Sequence, residues 1–133
     1  MRHDEGWARG RFAEARVARL ATVSAAGVPR LVPIVFALVD DQLVSAVDHK
    51  PKSTTRLRRL DDIAAHPQVT LLVDAYDDDW TQLWWARADG RARVLESFDL
   101  TPLLAKYPQY AGHAPTGPVV LVDVERWSGW SAF

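Results

Sequence analysis

The stretch of this sequence best equipped for chemistry is Asp48-His49-Lys50-Pro51-Lys52-Ser53-Thr54-Thr55-Arg56-Leu57-Arg58-Arg59. Five of the ten residues from Lys50 to Arg59 are basic, none is acidic, and two of the chain's three lysines lie here. The whole chain carries a formal net charge of −1, so any anion site must come from local clustering and not from a global field. The segment leads into a helical pattern from Ser53 to His66, in which Leu57, Leu60, Ile63 and Ala64 share a face and Pro67 marks the stop. Ser53, Thr54 and Thr55 suit the N-cap and first turn of that helix. Unpaired amide N–H groups and the positive end of the helix dipole face outward at such a junction. Ammonium, hydroxyl and amide donors can then converge on a phosphate. The residues alone also fit a plainer reading, a solvated helix face that happens to be basic.

Other chemistries lack their residues. There is no cysteine, which removes disulfides, thiolate catalysis and cysteine-held metals. The glycines at 6, 10, 27, 90, 112, 117 and 129 never cluster, so neither a dinucleotide fingerprint nor a P-loop is present. His3, His49, His66 and His113 show no ligand-like spacing, and no metal is expected. No GxSxG elbow presents a serine, although counting residues does not exclude a Ser–His–Asp triad. Six tryptophans stand at 7, 80, 84, 85, 127 and 130. They fit core and interface packing, or stacking against a planar ring. The acidic run Asp77–Asp79 just before Trp84-Trp85 argues against a nucleic-acid surface. The polar start MRHDEGWARGRF does not resemble a secretory signal, and no apolar run reaches the roughly 20 residues of a membrane span. The expectation is a cytoplasmic protein without membrane or nucleic-acid partners.

The elements that must position these residues are mostly strands. Residues 4–16 read as a short helix with a stripe of Trp7, Phe12 and Ala15. Val17–Ser24, Arg30–Val39 and Leu43–Val47 read as an antiparallel meander with turns at Ala25-Ala26-Gly27 and Asp40-Asp41-Gln42. Pro33 inside the second strand points to an edge or a bulge. After the helix, Gln68–Tyr76 and Thr81–Leu95 are strands, the latter bent near Gly90 as at a barrel corner. Phe98–Lys106 reads as a short helix, residues 109–118 as a loop and Val119–Val124 as the last strand. Short turns between neighbouring strands exclude a βαβ repeat. The expected fold is mainly β: one domain over residues 1–133, a small barrel of about six antiparallel strands with short helical insertions.

Three stretches together resemble a known family: ARLATVSAAGVPRLVPIVF, VDHKPKSTTRLRRLDDIAAHPQVTLLVD and DDDWTQLWWARADGRARV. They are similar to the pyridoxamine 5'-phosphate oxidase-like split-β-barrel superfamily, most of all to its branch of deazaflavin (coenzyme F-420)-dependent enzymes. The resemblance implies an FMN-binding split-barrel type of fold and a homodimer with two cofactor sites at the subunit interface. It implies hydride transfer from reduced coenzyme F-420 to an electron-poor small molecule. The alternatives are an FMN-dependent oxidase or reductase, a non-catalytic flavin or deazaflavin carrier, and a groove for another planar ligand such as haem. Carried over residue by residue, Lys50, Lys52, Ser53 and Thr54 would bind the cofactor phosphate, with Arg56 and Arg59 assisting or reaching an anionic tail. Pro33, Ile34 and Val35 would lie under the ring system, and Val47, Asp48 and His49 would flank the linker. Trp85, Arg87 and Trp130 would close the pocket from the other subunit. The sequence departs from the superfamily pattern at one place. Many members carry a single lysine about eight residues before the helix-ending proline, where this chain has Arg59.

Overall fold

Alternation of small and large residues decides how this sheet is built. The computed structural model describes residues 1–47 and 57–133. Its strands are β1 (Arg2–His3), β2 (Ala18–Val23), β3 (Pro29–Ile34), β4 (Ala37–Val39), β5 (Gln42–Ala46), β6 (Gln68–Ala75), β7 (Trp84–Leu95) and β8 (Val119–Ser131). Three helices accompany them: α1 (Glu5–Glu14), α2 (Arg58–Ala65) and α3 (Thr101–Lys106). The strands form one antiparallel sheet in the order β3-β2-β6-β7-β8-β5-β4, with β1 added along β8. The fold is therefore the mainly β, split-barrel type expected, with β3 and β4 as the two unjoined edges. No helix among the described residues is long and apolar enough to cross a membrane.

Along β7, Ala86, Ala88, Gly90 and Ala92 are buried while Trp85, Arg87, Asp89, Arg91 and Arg93 face outward. These small inward residues leave room for larger ones from α1. Ala8 and Phe12 of that helix are fully buried, and the Phe12 ring meets Phe36 and Trp127 edge-on at 5.9 and 5.3 Å. The expected stripe is thus shifted: Ala8 and Phe12 hold the core, and Trp7 is half-buried beside it.

Three elements differ from the sequence reading. The expected strand Arg30–Val39 divides into β3 and β4 at Val35 and Phe36. There the Phe36 N–H donates to the Tyr107 hydroxyl at 3.1 Å and takes no ladder partner, so the backbone group is satisfied without strand pairing. Pro33 lies on edge strand β3, where its missing N–H costs no ladder bond.

The last strand does not stop at Val124 but runs to Ser131 and takes in the WSGW tail. A bulge makes this possible. The β7–β8 register shifts between Asp89 (opposite Arg126) and Gly90 (opposite Val124), leaving Glu125 as the extra residue. Val120 and Val122 join the core before it, and Trp127, Gly129 and Ser131 turn inward after it, so the buried phase moves by one residue. Gly90 is required at this corner because a Cβ would fall onto the Asp123 carbonyl.

The middle helix is shorter than expected. It begins at Arg58, and its N-cap is Leu57, with no side-chain cap. The residues expected at the cap, Ser53, Thr54 and Thr55, lie outside the described residues.

Candidate functional site

A cleft of about 490 Å³ opens between the end of β3 and the end of β5. Pro33, Ile34 and Val35 form one side of it, and Ser45, Ala46 and Val47 the other. Arg59 and Leu57 at the start of α2, Val17 and Tyr110 complete the rim. Five residues singled out in the sequence (Pro33, Ile34, Val35, Val47 and Arg59) are thus brought around one space. Asp48, His49, Lys50, Lys52, Ser53, Thr54 and Arg56 lie outside the described residues, which resume at Leu57 on the rim of the same cleft.

The cleft's walls are fixed by specific hydrogen bonds. The Ser45 hydroxyl donates to the Val35 carbonyl at 2.8 Å, spanning the gap between the two sides. Val47 N–H donates to Pro118 O at 2.9 Å, which ties the end of β5 to the loop that follows the single helical turn Pro108–Tyr110. That loop approaches closely at Gly117, where a Cβ would lie 2.7 Å from the Val47 carbonyl. Behind the cleft, the Tyr107 hydroxyl accepts from Phe36 N–H and lies 2.8 Å from Phe36 O and 2.9 Å from Arg16 O. One phenol therefore holds the β3–β4 junction and the α1–β2 link together. Burial raises the Tyr107 pKa above its ordinary value, which keeps it in the protonated, donating form.

The rim helix α2 is set by a buried carboxylate. Asp62 is only 3% exposed. It accepts from Thr22 Oγ1 at 2.8 Å and pairs with Arg30 Nε at 3.0 Å. A charge this buried persists only when paired and hydrogen-bonded, so the three residues lock α2, with Arg59 in its first turn, onto the β2–β3 hairpin. Nothing in the sequence marked Asp62 for this. A second aspartate stands beside it, and helical spacing alone does not say which one turns inward.

Trp85, Arg87 and Trp130 are not part of this cleft within the chain. They stand on the outer face of β7 and β8, where Trp85 pairs directly with Trp130 and Arg87 with Ser128. A second cleft of about 570 Å³ runs there, floored by these residues and by Arg2, Arg126 and Ser128. The Arg87 guanidinium lies 5.6 Å from the Trp85 ring and pairs with Asp89 at 3.2 Å.

The one serine–histidine contact among the described residues is not a nucleophilic pair. His3 Nε2 is 2.6 Å from Ser131 Oγ, but Ser131 is fully buried and its hydroxyl donates to Phe133 O at 2.8 Å. Its single proton being spent there, the hydroxyl accepts from His3, the reverse of what activation requires. Among the described residues no group of His, Asp and Glu is arranged to hold a metal ion.

The comparison that decides the family covers almost the whole chain: the model of the pyridoxamine 5'-phosphate oxidase family matches residues 7–131. The chain belongs to that family. Among solved structures, an FAD-binding protein from Mesorhizobium loti is 22% identical, with a TM-score of 0.71, covering 97% of this chain and 93% of its own. An FAD-binding protein from Mycobacterium smegmatis is 16% identical, with a TM-score of 0.65 and 98% of each chain covered. HutZ, the heme storage protein from Vibrio cholerae, is 14% identical, with a TM-score of 0.70, covering 97% of this chain and 95% of its own. At these identities the likeness shows the oxidase-family fold. No curated protein matches the sequence. Within the family fold, the sequence did not mark Val17, Ser45, Ala46, Leu57 or Tyr110 as lining residues of a cofactor cleft. They come from four separate segments, far apart in the sequence, that only the folded sheet and its loops bring together.

Proposed function

We propose that this member of the pyridoxamine 5'-phosphate oxidase family is a cofactor-binding oxidoreductase, transferring a hydride from reduced coenzyme F-420 to an electron-poor small molecule. The observation that carries the reading is the cleft itself. Its volume lies within the usual range for small-molecule sites, roughly 300–1,000 Å³. Its walls are apolar and backbone-rich, as a flat ring system requires, and the described chain re-enters at Leu57 and Arg59 on its rim.

When bound, the reduced deazaflavin would supply the hydride. The chain's own residues orient and exclude. Ile34, Ala46 and Val47 are buried and present an apolar floor that keeps water from one ring face. The Ser45–Val35 hydrogen bond fixes the spacing of that floor. Arg59 stands where the superfamily pattern has its lysine and would face the phosphate end, together with Lys50, Lys52, Ser53, Thr54 and Arg56. Asp48 and His49 would flank the linker. Two copies of the chain would complete the site as a homodimer, with Trp85, Arg87 and Trp130 on the outer face approaching the partner's cleft.

A second reading, an FMN-dependent oxidase or reductase, is favoured by the two FAD-binding structures of the same fold. The test that separates the readings is turnover. With the protein present, reduced F-420 should pass its hydride to an activated alkene such as cyclohexenone, leaving oxidised F-420 and the saturated ketone, and reduced FMN should not replace it. Oxidation of reduced FMN alone would transfer the function to the second reading. Binding of either cofactor without any turnover would make the protein a carrier.

A further inference from the structure

Several arginines of the chain are each held by a carboxylate: Arg9 by Asp41 at 3.1 Å, Arg30 by Asp62 at 3.0 Å, Arg87 by Asp89 at 3.2 Å and Arg93 by Asp123 at 3.3 Å. Arg11, Arg16 and Arg19 have no such partner among the described residues. These three line a single lobe of about 430 Å³ on the outer side of the α1–β2 link.

Their other contacts leave anion-binding capacity unused. The Arg11 guanidinium lies 4.5 Å from the Trp84 ring and 5.0 Å from the Trp7 ring, and its N–H donors make no hydrogen bond or ion pair among the described residues. Arg16 lies 5.2 Å from the Tyr107 ring and donates one N–H to Lys106 O at 3.1 Å. Arg19 is exposed on β2, directly opposite Pro33 of β3. Glu14 and Asp74 line the same lobe without an ion pair to any of the three, so three cations against two carboxylates leave an excess positive charge. Beside the lobe, burial first and then the Arg16 charge lower the Lys106 pKa to about 8.

The lobe adjoins the first cleft. Val17 borders both, and Arg19 flanks Pro33 on the cleft's wall. We propose that the Arg11–Arg16–Arg19 lobe is a carboxylate subsite, which takes the ionised end of a ligand whose apolar body lies along Val17 and Pro33 in the first cleft. Guanidinium groups suit this task because their forked N–H donors match a carboxylate in two-point contact. The inference rests on the cofactor-cleft reading only in that the first cleft receives a ligand.

The test uses cinnamate, a planar acid, and its uncharged analogue cinnamamide, titrated into the full-length protein by calorimetry. The wild type should bind cinnamate about tenfold more tightly than the amide, the size of one lost charge-assisted contact. Arg16→Gln/Arg19→Gln should erase that preference, and Arg16→Lys/Arg19→Lys should keep part of it. Both variants should hold the wild-type melting midpoint and FMN affinity. Equal binding of acid and amide by the wild type would overturn the subsite. So would a preference untouched in the glutamine variant. A second arm titrates F-420, which carries an anionic tail, into the same proteins. Weaker F-420 binding in the glutamine variant assigns the carboxylate to the cofactor, and loss of the cinnamate preference alone assigns it to the substrate. If neither FMN nor F-420 binds the wild type while the cinnamate preference holds, the cofactor reading falls and the carboxylate subsite stands.

Discussion

The cleft between β3 and β5 and the cleft on the outer face of β7 and β8 enclose similar volumes, about 490 and 570 Å³, and they are held in different ways. The first lies at a seam. Its walls come from strands that are not hydrogen-bonded to each other, so separate braces must keep them apart at a fixed distance: Ser45 on Val35, Tyr107 on Phe36 and Arg16, Asp62 on Thr22 and Arg30. The second lies on a continuous ladder. The β7–β8 pairing alone sets its floor, and its Arg87–Asp89 pair is 40% and 33% exposed. A seam with buried braces presents preorganised apolar walls to a ligand. A ladder face presents alternate side chains, two tryptophans among them, which suits a protein surface better than a small molecule.

The sharpest way to break this comparison acts on binding. Replacing Lys50 and Lys52 together by Ala should weaken cofactor affinity by about 2–4 kcal/mol, the loss of two charge-assisted contacts, with little change in melting temperature. An unchanged dissociation constant would remove the basic segment from the first cleft. Next comes the buried brace. Asp62→Ala strands Thr22 and Arg30 and should cost about 3 kcal/mol of stability in urea unfolding; Arg30, a third exposed, holds the figure to the lower end for buried pairs. Tyr107→Phe leaves the buried Phe36 N–H without its acceptor and should cost about 2 kcal/mol. Arg87→Ala on the outer face should cost less than about 1 kcal/mol, as exposed pairs do. If Arg87→Ala destabilised as much as Asp62→Ala, the contrast between seam and ladder would be lost.

The smallest effect is one of pH. Lys106 Nζ is buried without a hydrogen-bond acceptor and sits 4.0 Å from the Phe36 ring. Burial first, then the Arg16 charge, lowers its pKa from 10.5 to about 8. Between those two values the unfolded chain holds the proton that the folded chain has released, so stability should rise with pH across this window. Lys106→Met should flatten that rise. A rise of equal slope in the variant would show that Lys106 does not carry it.

Much of this architecture was legible because it depends on local pattern. Ala18–Val23 and Gln68–Ala75 follow alternation closely, and Pro33 announced the edge strand. Gly90 announced a corner, but not that Glu125 would be the residue squeezed out, since bulge placement depends on the partner strand. The WSGW tail fell outside the expected last strand, Val119–Val124, because its inward residues are out of phase with Val120 and Val122 until the bulge is known. The first cleft was half legible. Pro33–Val35, Val47 and Arg59 came from family resemblance, whereas Val17, Ser45 and Tyr110 are joined to them only by long-range packing. Asp62 and Tyr107 carry no sequence signal at all. Each is one ordinary residue whose partners lie 32–40 and 71–91 positions away.

The central claim is that the seam between β3 and β5 receives a flavin-type ring, and equilibrium titration of the tryptophan emission with F-420 and with FMN tests it most directly. Saturable quenching by F-420, several-fold tighter than by FMN and weakened in the Lys50→Ala/Lys52→Ala variant, is the predicted result. Equally weak, unsaturable quenching by both cofactors would contradict it.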